Sequence, residues 1–493
     1  MKSSTSFQKH IGRNSSSEDI SDFELFYQLT YMSATAAAGI SRSRIFELAL
    51  RLSAAPATYF RDVSNLAGNL RYNYPDACRM VGLHIKAENL RTFLLRFSDA
   101  LRSGEPVNTF LAREAEVQGE NYSNVYERQL ESLKKWNDGY IAVTVSVALI
   151  VIINMVSTMI YDIRKPTMIG MAATAVLMDF IVAWVLYRAS PQESKSVSLA
   201  EGSEIQTLTL KLAKTLPPIA ALSTVLLGML GMNWGWIMII AGVILAPVGI
   251  ASFRADRETN QKDAEISSFL RSLGGQATSR GTTLTDALDH LKIDPFPALL
   301  PDIRLLNLRL RALSKPELCW SKFGTETGSK LINQTVNVFY EAIDLGGDPE
   351  QVGVLASLFA LKTAMLRAKR RGISATFSWL TLIMHGVLVA LMVFLLEILR
   401  AFINLLEGSM SPEQQQTLME MDVLAFDIPD IGFLYAMVVS VAIGLSLINA
   451  FVITASEGAL LSKAFYYLSI LLVSSGIGFL LVPLATRYLA VSP

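Results

Sequence analysis

The stretch "YIAVTVSVALIVIINMVSTMI", from Tyr140 to Ile160, contains no charged residue. A run of that length crosses the roughly 30 Å hydrocarbon core of a bilayer. In lipid the backbone must satisfy its own polar groups, so the run is read as a transmembrane helix. Further runs of the same kind follow at Thr167 to Tyr187, from Leu216 to about Met232, up to Phe253, from Thr376 to Leu399, from Ile431 to Ala455 and from Phe465 to Ala485. The expectation is about seven spans, the third being the shortest. With 51% hydrophobic and 17% charged residues, the chain is too apolar for a soluble globular class.

The other bulk properties exclude more than they suggest. The formal net charge is zero, which offers no basic face for nucleic acid. Two cysteines, Cys78 and Cys319, make neither a disulfide framework nor a cysteine zinc site, and the four histidines are scattered. No metal site and no cofactor are expected. The start, "MKSSTSFQKHIGRNSSSEDISDF", is polar and Ser-rich, without the apolar core of a secretory signal. It reads as a disordered tail over 1–21.

Lys and Arg collect on one side of the spans. The segment 254–375 is rich in them and ends in Arg367, Lys369, Arg370 and Arg371, directly before the fifth span. The linker 188–215 carries Arg188, Lys195, Lys211 and Lys214, whereas the loop 400–430 has Arg400 alone against six acids. The assignment that follows puts the N-terminus and 254–375 inside, and the acidic loop and the C-terminus outside. It also places Arg164 and Lys165 outside, against the rule.

Between the spans the chain repeats itself. "FSDALRSGEPVNTFLARE" near residue 97 and "FYEAIDLGGDPEQVGVLASL" near residue 339 share one plan: an amphipathic run, a glycine stop and a second amphipathic run. Leu90, Phe93, Leu94, Phe97 and Leu101 form a helical stripe, and so do Val336, Phe339, Tyr340 and Ile343. An earlier element recurs too, with a stop at Gly39 before the cap Ser41 and a stop at Gly281 before the cap Thr283. The interval from Gly39 to Gly104 nearly equals that from Gly281 to Gly347. Matched landmarks at matched separation indicate a duplication.

The resulting organisation is an all-α polytopic membrane protein with two cytoplasmic helical bundles, a duplicated domain over 22–139 and 254–375. Four spans lie in 140–253 and three in 376–493. The phrases "AAAGISRSRIFELAL" and "DALRSGEPVNTFLARE" resemble the opening and middle helices of the F domain of type II secretion and type IV pilus membrane proteins. In the second copy "SRGTTLTDALDHL" and "AIDLGGDPEQVGVLASL" match the same places. The order of parts is similar to the archaeal branch, which includes archaellum and adhesion-pilus platforms, with Tad-pilus membrane proteins as relatives. The resemblance implies a non-enzymatic platform in the cell membrane. Its implied partners are a cytoplasmic hexameric secretion ATPase, pilin- or archaellin-like subunits and the lipid bilayer. A homodimer is expected for a body coupled to such a motor.

Chemistry is sparse in the sequence. "GTETGSK", Gly324 to Lys330, has the wrong glycine spacing for a phosphate loop, with Ser329 ahead of the lysine. Asp286, Asp289 and His290 read as a solvated helix face, and no nucleophile–base arrangement is visible. Asp179 is the one carboxylate well inside an apolar span, which makes it a functional candidate by default. It reads as a polar contact locking helices through Asn154, Asn449 or His385; the competing reading is a proton-relay or substrate group of a multi-pass transporter. Arg367, Lys369, Arg370 and Arg371 read as a membrane anchor or as an ATPase-docking surface. Gly39, Gly104, Gly281 and Gly347 are the breaks of the repeat.

Overall fold

The computed structural model describes residues 20–491, except 53, 159–163, 192, 194, 197–201, 313–314 and 410–429. The expected tail over 1–21 therefore lies outside the described residues apart from Ile20 and Ser21, and most of the acidic loop lies outside them as well. All regular structure among the described residues is helical, and seven helices are long and apolar enough to cross a membrane. The chain is an all-α polytopic membrane protein.

The described residues fall into two compact units. Within the described residues, one comprises 20–127, 195–202 and 258–367; the other comprises 128–194, 203–257 and 368–491.

The first unit holds both repeat copies. Copy one runs α1 (Asp22–Ala37), α2 (Arg42–Ala49), α3 (Ala55–Asn69), α4 (Tyr74–His84) and α5 (Glu88–Ser103) into α6 (Val107–Ser157). Copy two begins in the last part of α9 (Trp234–Arg280). It continues through α10 (Leu284–His290), α11 (Leu300–Arg311), α12 (Pro316–Glu326) and α13 (Lys330–Asp344) into α14 (Pro349–Ser409). The register is constant. Tyr74–His84 recurs as Pro316–Glu326, 242 positions on (316 minus 74), and the same offset carries the first residues of α2, α5 and α6 onto those of α10, α13 and α14.

The same local chemistry starts matching helices. Ser41 caps α2 through the Arg44 amide, and Thr283 caps α10 through the Asp286 amide. These side chains satisfy amides that a helix N-terminus otherwise leaves unpaired.

The copies share a frame and fill it differently. In copy one a ladder of rings runs Phe46–Phe97–Phe110, with centroids 5.7 and 5.3 Å apart. Phe97 corresponds to Phe339, and both are buried, but the position of Cys78 is taken in copy two by the buried Trp320. Trp320 stacks on Tyr340 and meets Phe323 edge-on. Each ring removes about 150–250 Å² from water, so such clusters dominate the core of a small bundle.

Helix α1 is buried on every side from Leu25 to Ala36. Leu25, Leu29 and Met32 enter the core of copy one. The opposite face meets copy two: Tyr31 donates to the Glu341 carboxylate, and Phe26 lies 5.1 Å from the Phe359 ring. Among its buried polar residues, Gln28 donates to the Ala49 carbonyl and Thr30 to that of Phe26.

The second unit is the span bundle. It takes the later part of α6, then α7 (Lys165–Ala189), α8 (Glu204–Met229) and the early part of α9. It is completed by the later part of α14, α15 (Ile431–Glu457), a short 3-10 turn (Leu461–Lys463) and α16 (Ala464–Val491). Two ends are defined by its own contacts. At one end Lys165 pairs with Asp430 at 2.8 Å and Tyr435 donates to Asn233. At the other Asn137 donates to Ser456, and Lys463 pairs with Asp256. The exposed Arg164–Lys165 turn and the start of α15 therefore share an end, and the Lys165 charge is matched.

No helix boundary falls at 139, 253 or 375. The 51 residues of α6 and the 61 of α14 are single helices, about 76 and 92 Å long at 1.5 Å per residue. Only about 20 residues of each are needed to cross a bilayer. Likewise α9 is one helix of 47 residues from a span into copy two.

Candidate functional site

Four glycines adopt the left-handed conformation at the breaks of the repeat: Gly39, Gly104, Gly281 and Gly346, with φ of 68, 79, 62 and 94°. The second copy's stop is thus Gly346 and not Gly347. Only the first of the two glycines takes the conformation that an L side chain resists. Gly347 is constrained by space instead, since a Cβ there would sit 2.8 Å from the Ala342 carbonyl oxygen. With Gly346 as the landmark the two intervals are equal, 65 residues each (104 minus 39, 346 minus 281).

The basic cluster before the fifth span does not form one surface. Arg367 is 3% exposed and donates to Asp263 at 3.0 Å; Ser329 donates to the same carboxylate. Arg370 is 2% exposed. Its guanidinium donates to the carbonyls of Ala455, Ser456 and Pro191 at 2.9, 2.9 and 2.7 Å. Two of those carbonyls close α15, where backbone acceptors are orphaned and the helix dipole favours a cation. Gly458 follows with φ +60°, and a Cβ there would meet the Arg370 guanidinium at 2.4 Å. Of the four residues Lys369 is exposed and Arg371 half-buried, while Arg367 and Arg370 are buried against internal acceptors.

Asp179 is fully buried and lies among polar groups from other helices. It accepts from Thr144 at 2.8 Å and from Tyr140 at 3.1 Å, both on α6. The Tyr140 hydroxyl also lies 2.7 Å from Asn449 on α15, whose amide lies 3.1 Å from His385 Nδ1 on α14. His385 Nε2 reaches Ser475 on α16 at 2.9 Å and Ser446 at 3.2 Å. Of the three expected partners, Asn449 and His385 join the chain two and three links away, through Tyr140. Asn154 does not; it donates to the Met168 carbonyl. Tyr140 and Thr144 were missed because each reads as an ordinary residue at the start of a span. What brings them to Asp179 is the packing of α6 on α7.

The sequence did contain a signal for the rest of this region. Arg367, Arg370, Ser374, Ser378, Thr381 and His385 stand three or four positions apart along one face of α14, and all six are buried. Ser374 donates to Ser456, and Ser378 and Tyr467 both donate to Glu457. Glu457 also pairs with Lys463 at 2.7 Å.

The remaining motifs are structural. In "GTETGSK" Ser329 caps α13 through the Ile332 amide, and the Lys330 amide donates to the Lys195 carbonyl. Those amides are occupied and cradle nothing. Asp289 accepts from Arg311 at 2.7 Å, which holds its carboxyl below the ordinary range, and from Asn307. With Arg280, Thr282, Asp286 and His290 it borders an open polar hollow. Among the described residues no group of three His, Cys, Asp or Glu side chains could hold a metal.

What these features belong to is indicated by sequence relatives. The chain is similar to flagella accessory protein J. It is 26% identical to the protein of that name from Methanocaldococcus jannaschii over 309 residues, and 23% identical to that from Methanococcus voltae over 310. In both cases 60% of this chain is covered, and it spans about half the length of the curated relatives it matches, 54% and 55%. No protein-family model and no solved structure matches.

Proposed function

We propose that the protein is the membrane platform of an archaellum or related type IV filament assembly machine. The observation that carries this is the continuity of α6 and α14: in each copy the helix after the left-handed glycine runs without interruption into a span. A helix held in a packed bundle at one end and in a span at the other transmits displacement, because its backbone hydrogen bonds resist bending. Similarity to flagella accessory protein J supports the assignment to archaellum assembly.

In this reading the repeated unit faces the cytoplasm and receives a hexameric secretion ATPase, and the span bundle presents pilin- or archaellin-like subunits to the growing filament. The charge distribution agrees. The span-bundle end that holds Asn137 and Lys463 is also the end of Arg188, Arg254, Lys369 and Arg371, as expected for a cytoplasmic face. A homodimer matches the symmetry such a motor requires. The protein itself carries out no reaction.

The test is filament counting in cells lacking the protein, with processed subunits assayed in the membrane. Filaments absent while processed subunits persist is the expected result; unchanged filaments exclude the reading. Leu366→Pro, in the buried middle of α14, removes a backbone hydrogen bond and costs roughly 3 kcal/mol locally. It should abolish filaments while the protein remains in the membrane.

A further inference from the structure

The polar groups of the span bundle form a path. It starts at the end where Arg370 and Ser374 meet Ser456, passes Ser378, Glu457 and Tyr467, and reaches Thr381 and then His385. From Ser374 to His385 it covers about 16 Å along α14 at 1.5 Å per residue, roughly half the hydrocarbon thickness. Beyond His385 it stops. Val389, Met392, Val393 and Leu396 continue the same face of α14 and pack with Val151 and Leu445 in an apolar layer.

Two observations indicate what fills the path. The Thr381 hydroxyl is buried and has no hydrogen-bond partner, although the residue is only 3% exposed. A buried polar group in that position is ordinarily satisfied by water. The second observation is the bond order of the chain at the inner end. A phenol has one proton, yet Tyr140 stands within hydrogen-bond distance of both Asp179 and Asn449 Oδ1. With Tyr140 donating to Asn449 Oδ1, the amide of Asn449 donates to His385 Nδ1, and His385 donates from Nε2 to Ser475. The Tyr140 oxygen can then accept a proton from the facing Asp179 carboxyl; with Asp179 ionised the same chain runs the other way. Asp179 is fully buried, and its partners are the uncharged hydroxyls of Tyr140 and Thr144. Burying an ionised carboxylate without a counter-ion is costly, which favours the protonated form.

We propose that Asp179 is a proton-binding site at the blind end of a hydrated half-path, open to the end of the span bundle that holds Arg370. The proton comes from water and forms one O–H bond at Asp179 Oδ2; its release to water reverses the chain. Tyr140 then donates to Asp179, the Asn449 amide turns over, and the imidazole proton passes by exchange with water from Nε2 to Nδ1. One proton thereby sets the polarity of contacts joining α6, α7, α14, α15 and α16. The titratable groups packed around the site are Tyr140 of α6 and His385 of α14. At the mouth of the path stand Arg370, Glu457, Tyr467 and the Lys463–Asp256 pair. Among the described residues no lysine or arginine bonds to Asp179.

The experiment is infrared spectroscopy of the full chain in lipid vesicles. A carboxylic-acid C=O band at pH 7 that is missing from Asp179→Asn identifies the proton at this residue. Transfer to D₂O should shift that band, and Thr381→Val should slow the shift severalfold while the unfolding temperature stays unchanged. No Asp179-dependent acid band at pH 7 overturns the proposal. A band that never exchanges, or that exchanges equally fast in Thr381→Val, overturns the half-path. None of these readings depends on filament assembly.

Discussion

The two repeat copies place helices at a constant offset and pack them with different side chains. Phe97 and Phe339 occupy one position in both cores, whereas Cys78 stands where copy two has Trp320. What is held constant is what the backbone requires: the polar cap before the second helix and the left-handed glycine after the fifth. Core volume is redistributed around that frame, because a bundle interior tolerates exchange of apolar shapes more readily than a misplaced helix end.

The comparison breaks most sharply at Trp320. Trp320→Ala should cost about 3–5 kcal/mol and expose the neighbouring Cys319 to alkylation, while Cys78 in copy one stays protected. Cys78→Ala should cost far less, since it removes one sulfur atom. If Trp320→Ala loosens both thiols equally, the copies unfold as one cooperative body and their cores are not separable.

The glycine stops should behave alike across copies. Gly104→Ala and Gly346→Ala each force an L side chain into the left-handed region, at about 1–2 kcal/mol. Gly347→Ala tests the distinction within the pair: its penalty should come from the clash with the Ala342 carbonyl and not from a left-handed backbone. Smaller still, Ser41→Ala and Thr283→Ala should each cost about 1 kcal/mol, measured by thermal unfolding in detergent. Unequal losses would mean that one of the two caps is redundant.

A last effect is alkaline. Burial pushes the Cys78 thiol up to about 12, from an ordinary value near 9. Below about 9 both folded and unfolded chains hold this proton and stability is independent of pH. Between about 9 and 12 the unfolded chain releases it and the folded chain does not, so stability falls as pH rises. Cys78→Ala should remove that part of the alkaline loss, and Cys78 should resist alkylation in the folded protein at pH 9.

Seven helices long enough to span, an all-helical fold and the helix ends at Gly39, Gly104 and Gly281 were legible in the sequence, because each is written in local terms. Hydrocarbon thickness fixes the length of an apolar run, and a helix end needs a cap or a glycine whatever surrounds it. The fourth break was misplaced by one residue, since Gly346 and Gly347 look identical until the backbone conformation is known. Only tertiary structure decided that α1 is enclosed on all sides, with Leu29 facing one copy and Tyr31 the other. It likewise turned Arg367 and Arg370 inward, onto Asp263 and the carbonyl end of α15, and brought Tyr140 and His385 into one chain with Asp179. Composition shows that a charge is present, but whether it meets water or a buried acceptor depends on which distant helix end packs beside it.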